Sequence, residues 1–164
     1  MTRWAVVLDA NAVIGFVKGQ VFDLLPQLFP AVSVPQAVVH EVIHRGPGRP
    51  GAQELAQALG TWTNAVTPDP VQASQFAAPL SPADREVLAV ALGGAGSAIL
   101  SDDRALRREA HRHHLRCIGT AEVVVLMKEY HLIPAVKPVL DTLRQTGFGI
   151  SEAAYKQALQ AVRE

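Results

Sequence analysis

The chain has 164 residues, 49% of them hydrophobic and 18% charged, which suits one sizeable core and excludes the charge-rich, apolar-poor signature of disorder. Fifteen basic residues balance fifteen acidic ones, so no net positive field advertises a nucleic-acid partner, and any polyanion must be held by a local basic patch or by cations. Cys117 is the single cysteine, which excludes an intramolecular disulfide and leaves a thiolate zinc site without partners.

Residues 4–8, Trp-Ala-Val-Val-Leu, are a continuous apolar run that predicts a strand buried on both faces of a parallel sheet. Asp9 ends this run well short of the roughly 7–15 residues of a signal-peptide core. The uncharged stretch 87–101 is shorter than the roughly 18 residues of a membrane span. A cytoplasmic protein with no membrane partner is the expectation. A helix follows, with Val13, Phe16 and Val17 on one face and Gly19 near its end, and 22–29 is again apolar at helical spacing. Residues 31–34 read as a second strand. Pro35 is expected at the first position of a helix that carries Val38, Val39, Val42 and Ile43 inward, with Glu41 at the edge of that face. The stretch 44–51 reads as an exposed loop, 53–59 as a modest helix and 62–66 as a third strand.

Ser81 as N-cap, Pro82 at the first helical position and Asp84 at the third start a helix that runs to Leu92 and stops at Gly93 and Gly94. Residues 97–100 form a fourth strand with Asp102 and Asp103 at its end; 103–114 is helical and 115–118 a fifth strand. Gly119 and Thr120 turn into a helix carrying Val123, Val124, Leu126 and Met127, and two further helices cover 136–145 and 151–162. Strands alternating with helices predict an α/β fold, a three-layer α/β/α sandwich around a central, mainly parallel sheet. A single domain over 1–164 is expected, with the C-terminal helices from about residue 134 packed on it or extending it.

In such sheets ligands bind beyond the carboxyl ends of the strands. Asp9 and Asp102 both fall there, immediately after apolar strands. Carboxylates gathered at one point repel unless a proton or a cation neutralises them. An all-oxygen cluster suits Mg²⁺ or Mn²⁺, and such ions activate water for in-line phosphoryl displacement with no nucleophilic side chain.

Val6-Val7-Leu8-Asp9-Ala10-Asn11 resembles the opening of PIN-domain nucleases, a strand ending in Asp-x-Asn, Asp-x-Ser or Asp-x-Thr. Val32-Ser33-Val34-Pro35 with Val38-Val39-His40-Glu41-Val42 resembles their second strand and glutamate-bearing helix. Leu80-Ser81-Pro82-Ala83-Asp84 resembles the helix of the third acid, and Ile99-Leu100-Ser101-Asp102-Asp103 the strand that delivers the last. Cys117-Ile118-Gly119-Thr120, Leu132-Ile133-Pro134, Leu143 and 147–151 extend the resemblance to a prokaryotic branch related to VapC-type toxin ribonucleases.

The resemblance implies a PIN-like fold, an Mg²⁺- or Mn²⁺-dependent endoribonuclease acting on RNA, a homodimer and, for toxin members, an antitoxin protein that blocks the active site. It makes Asp9, Glu41, Asp84 and Asp102 the catalytic metal ligands or holders of metal-bound water, with Asn11 and Ser101 orienting them and Asp103 assisting. The chain departs from that branch at Asp84, where glutamate is commoner; the shorter side chain implies a bridging water.

Plainer readings stand beside these. Asp84 can act as a helix-start acid, Asp102 and Asp103 as an N-cap pair, with Asp103 assigned the cap, and Glu41 as a surface acid paired with His44 or an arginine. Glu86 reads as a solvated surface charge. Arg104, Arg108 and His111 recur at helical spacing on one face, either as a solvated flank or as a track for the RNA backbone. His111, His113 and His114 lack a separately placed ligand that would complete a transition-metal site. Cys117 is expected to be buried and inert. Two other functions compete: a PIN domain that has lost catalysis and serves as a binding or assembly module, and a phosphatase of the haloacid-dehalogenase type. The latter needs a second aspartate where Asn11 stands.

Overall fold

The apolar run near the start of the chain becomes the middle strand of the sheet. In the computed structural model, which describes residues 1–76, 79–94 and 97–164, the first half runs β1 (Ala5–Leu8), α1 (Ala10–Lys18), a 3-10 turn (Phe22–Leu24), α2 (Leu25–Leu28), β2 (Ala31–Pro35), α3 (Gln36–Val39), a π-helical turn (His40–His44), α4 (Ala52–Ala58) and β3 (Thr63–Val66). The second half runs α5 (Pro70–Ser74), α6 (Pro82–Gly93), β4 (Ala98–Leu100), α7 (Arg104–Arg112), β5 (Arg116–Ile118), α8 (Thr120–Glu129), α9 (Lys137–Gln145) and α10 (Glu152–Val162).

The five strands form one parallel sheet in the order β3-β2-β1-β4-β5, with Val6 opposite Val32 on one side and Ala98 on the other. Leu8, Val34, Ile99 and Leu100 are fully buried, as expected of strands covered by helices on both faces. On one face α6 lies against β1, β2 and β4 and touches α3, α5 and α7; elsewhere α1 packs with α8 and α9. The fold is thus the three-layer α/β/α sandwich expected from the strand–helix alternation. The chain builds outward from β1 through β2 to β3, then returns to the other side through β4 to β5. The order therefore reverses between β1 and β4, and a crevice opens beyond their carboxyl ends.

Behind the main core, Val124, Val136, Leu140, Leu143 and Phe148 form a second apolar cluster joining α8, α9 and the segment before α10. Gly15 lets α1 approach it: a Cβ there would lie 2.6 Å from the Phe148 ring, so a larger residue would force the two apart.

Most elements start within a residue or two of expectation, because their caps are written in the sequence. Ser81 accepts from the Asp84 N–H, Asp103 from Leu106 and Ser151 from Ala154. Pro35 differs. It closes β2, paired with Val66, in an extended conformation (φ −59°, ψ 147°) and caps the next helix instead of occupying its first position. That helix is regular only over α3 and then widens into the π-helical turn, so His44 belongs to the helical segment and not to the loop. The short α5 is an element the sequence reading lacks, although Asp69 before Pro70 caps it by accepting from Val71 N–H at 2.9 Å. No helix among the described residues is long and apolar enough to cross a membrane.

Candidate active site

Asp9 leaves the carboxyl end of β1 and caps α1. Its Oδ1 accepts the Ala12 N–H at 2.7 Å, and its Oδ2 accepts the Ser101 hydroxyl proton. The Asp9 N–H reaches the Leu100 carbonyl at 3.4 Å, which ties the ends of β1 and β4 together. The residue is only 3% exposed. Burial disfavours its charged form and outweighs the Ser101 and Ala12 hydrogen bonds, and the charges of Asp84 and Asp102 push the same way; the carboxyl is raised to about 7. Capping explains the Ala12 contact but not the depth, since an exposed acid caps equally well. A buried acid facing other acids is destabilising until a proton or cation neutralises it.

Asp102 follows β4, and Thr120 at the start of α8 holds both of its oxygens: the N–H donates to Oδ1 at 2.9 Å and the hydroxyl to Oδ2. This close approach needs Gly119, where a Cβ would lie 2.8 Å from Asp102 Oδ1 and 3.1 Å from Arg107 Nη1. Asp103 takes the cap of α7, so Asp102 is free of that task. Asp84, in the first turn of α6, also has its carboxyl raised, first by burial and further by the charges of Asp103 and Glu41. Glu41 stands exposed on the π-helical turn and forms no ion pair among the described residues, neither with His44 nor with an arginine. The imidazoles of His40 and His44 lie 5.3 Å apart on the same turn and are not among the residues that line the cleft.

These acids meet. Asp9, Glu41, Asp84, Asp102 and Asp103 line one cleft of about 710 Å³, together with Asn11, Arg104 and Arg108. Four separate parts of the chain deliver them to the crevice where the strand order reverses. Ser101, 1% exposed, sits beneath Asp9 and is held in turn by the Asp103 N–H at 3.1 Å. His111 is exposed but lies outside the cleft, so the basic face reaches the acids through Arg104 and Arg108 alone of the three. Arg107, between them in sequence, turns the other way and donates to the Ser101 carbonyl at 3.0 Å.

Two residues have roles that the sequence reading did not assign. Glu86, which the sequence alone presents as a solvated charge, accepts the Ala37 N–H at 2.7 Å and so caps α3, the helix that leads to Glu41. Thr120, 2% exposed, is the partner that fixes Asp102. A glycine-threonine pair at a helix start was visible as a turn, but nothing local names an acid 18 residues away as its partner. Cys117 is half-buried, its thiol donating to the Ser101 carbonyl at 3.7 Å, and burial pushes it up to about 12, so it is inert as a thiolate.

Among the described residues no three His, Cys, Asp or Glu side chains stand in an ion-ligating arrangement. The acids surround the cleft without closing on one point. In kind, however, the donor set fits a hard divalent cation: every candidate donor is oxygen, the most buried carboxyl lacks a cationic partner among the described residues, and both strand-end carboxylates are held by hydroxyls, as ligands are. A family model described as a PIN domain matches residues 5–164. No curated protein matches the chain.

Proposed function

The chain belongs to the PIN-domain family, whose fold is that of nucleases, and from this premise we propose that it is a divalent-metal-dependent endoribonuclease, the toxin component of a toxin–antitoxin pair. The observation that supports the reading most is the convergence of Asp9, Glu41, Asp84 and Asp102 on one cleft at the crevice between β1 and β4.

Asp9 and Asp102 would hold Mg²⁺ or Mn²⁺, with Asp84 and Glu41 taking the ion or its waters. The cation supplies an activated water and neutralises charge on the phosphate oxygens. The remaining work belongs to the chain. Ser101 and Thr120 keep the two strand-end carboxylates in one orientation, so that little reorganisation accompanies charge development. Asn11, exposed at the cleft rim, orients ligand or water, and Asp103 keeps Ser101 in place through its N–H. Arg104 and Arg108 hold the RNA backbone against a wall that would otherwise repel it. A cytoplasmic homodimer whose cleft is covered by an antitoxin protein completes the proposal, supported by the likeness of residues 117–120, 132–134 and 147–151 to toxin ribonucleases.

Cleavage of single-stranded RNA by the purified protein tests this. Cleavage should require Mg²⁺ or Mn²⁺ and stop with EDTA. Asp9→Asn and Asp102→Asn should each lower kcat by more than about 100-fold, beyond the loss of a residue that merely supports a ligand. Equal cleavage by wild type and both variants would remove the mechanism. Absence of cleavage with RNA binding intact would favour the binding-module reading.

A further inference from the structure

The acid cleft does not end at Arg104. Asp102, Arg104 and Gly149 also line a second cavity of about 730 Å³, so the two adjoin across these residues. The second part follows the outer edge of the sheet along β5 towards Trp4, with α8 and the alanine-rich side of α10 as its far wall. At its distal end the guanidinium of Arg116 lies over the indole of Trp4, 4.4 Å from the ring centroid. Arg116 is exposed, and neither it nor Arg104 has an ion-pair partner among the described residues. The acids nearest the cleft are already engaged: Asp102 with Thr120, and Glu122 with Arg107 at 3.4 Å and with the Gly119 N–H at 3.2 Å. Arg116 and Gly119 are three residues apart along an extended strand, about 10 Å.

We propose that this groove is a nucleotide-binding subsite: the RNA strand leaves the acid cleft past Arg104, runs along β5 with one phosphate held by Arg104 and a further one by Arg116, and rests an unstacked base on the Arg116–Trp4 platform. The identity of the strand rests on the ribonuclease reading above. A planar guanidinium seated on an indole presents a flat cationic face, the surface on which unpaired bases stack. The shared rim of the groove and the acid cleft sets the register, since whatever lies over the acids must exit across it or off the surface. An added peptide strand fits less well: β5 is three residues long and carries a charged residue, features that protect sheet edges from pairing. Glu129, on the α8 wall, is the acid that opposes a polyanion here.

Binding of a fluorescently labelled single-stranded RNA, followed by anisotropy at low salt in EDTA, tests the groove without calling on cleavage. Arg116→Gln should weaken binding about 5- to 10-fold and reduce the salt slope by about one phosphate contact. Trp4→Ala should weaken it about 10-fold, as the loss of one stacked base does, and Trp4→Phe should restore most of the loss. Glu129→Lys should tighten binding severalfold. If Trp4→Ala fails to fold, the Arg116 and Glu129 variants decide. In the metal-supplemented cleavage assay Arg116→Gln should raise KM and leave kcat unchanged. Unchanged affinity in the Arg116 and Glu129 variants, or no RNA binding at all, overturns the subsite and leaves the groove to a protein partner. RNA binding that depends on Arg116 without any cleavage would sustain the subsite and sink the nuclease. Cleavage with an unchanged KM in Arg116→Gln would do the reverse.

Discussion

Asp9 and Glu164 are both carboxylates lodged at the starts of helices, and their surroundings treat them in opposite ways. Glu164 accepts the N–H of Val136 at 2.9 Å and of Lys137 at 2.8 Å at the start of α9, and Lys128 donates to it. Burial would push its carboxyl up, but the Lys128 bond and the two backbone bonds prevail and hold it at about 2. Asp9 accepts one backbone N–H and one hydroxyl, faces Asp84 and Asp102, and rises to about 7. At Glu164, which fastens the chain's last residue to the start of α9, the chain supplies a positive partner. At the cleft it does not, and Asp9 is left with a raised carboxyl that the proposed cation, or a proton, would neutralise.

The contrast predicts opposite responses to neutralising each acid. The larger effect belongs to Asp9. Its folded pKa lies above the ordinary 3.8, so the folded state holds the proton more tightly, and stability falls as pH rises from about 4 to about 7. Asp9→Asn, which keeps the cap, should therefore stabilise the metal-free protein at pH 8, by about 4 kcal/mol at most, and by little at pH 4. Urea midpoints in EDTA at the two pH values read this, and Mn²⁺ should raise the midpoint of wild type but not of the variant. An equal gain at both pH values would mean that charge is not what Asp9 stores.

Glu164→Gln should act the other way, destabilising by about 1.5–3 kcal/mol at pH 7 through loss of charge-assisted hydrogen bonds. Its folded pKa lies below 4.5, so the stabilisation is full above pH 4.5 and lost as pH falls through about 2. Denaturation of the two proteins should converge at about pH 2; a constant gap across the range would assign the effect to packing. The smallest effect sharpens the cleft side. Ser81→Ala removes the cap of α6 and should cost about 1 kcal/mol, with Mn²⁺ affinity, read by calorimetry, falling because Asp84 loses its fixed start of helix.

Much of this was legible in the sequence because the information was local. The apolar runs before Asp9 and Asp102 marked buried parallel strands, and Ser81 and Asp103 as helix caps marked the starts of α6 and α7. The convergence of the acids followed from the family pattern and from strand ends, not from spacing. What stayed hidden depended on partners far away in the chain. Glu86 looked solvated because Ala37 lies 49 residues before it. Thr120 looked like a turn residue because Asp102 stands across a helix and a strand. Helical periodicity put His111 with Arg104 and Arg108 but could not say how far along α7 the cleft extends. Pro35 has the same φ at the end of a strand as in a first helical turn, so its ring did not separate the two.

Gly119 turns one consequence of the site into a constraint on its neighbours. The space a methyl group would need there already belongs to the Asp102 carboxylate and the Arg107 guanidinium. The least conspicuous replacement possible, one carbon with no charge, would act as a wedge driven between the strand-end acid and the arginine beside it. The proposed cation-holding carboxylate and the rim of the proposed strand groove would then be displaced together by an alteration made at neither.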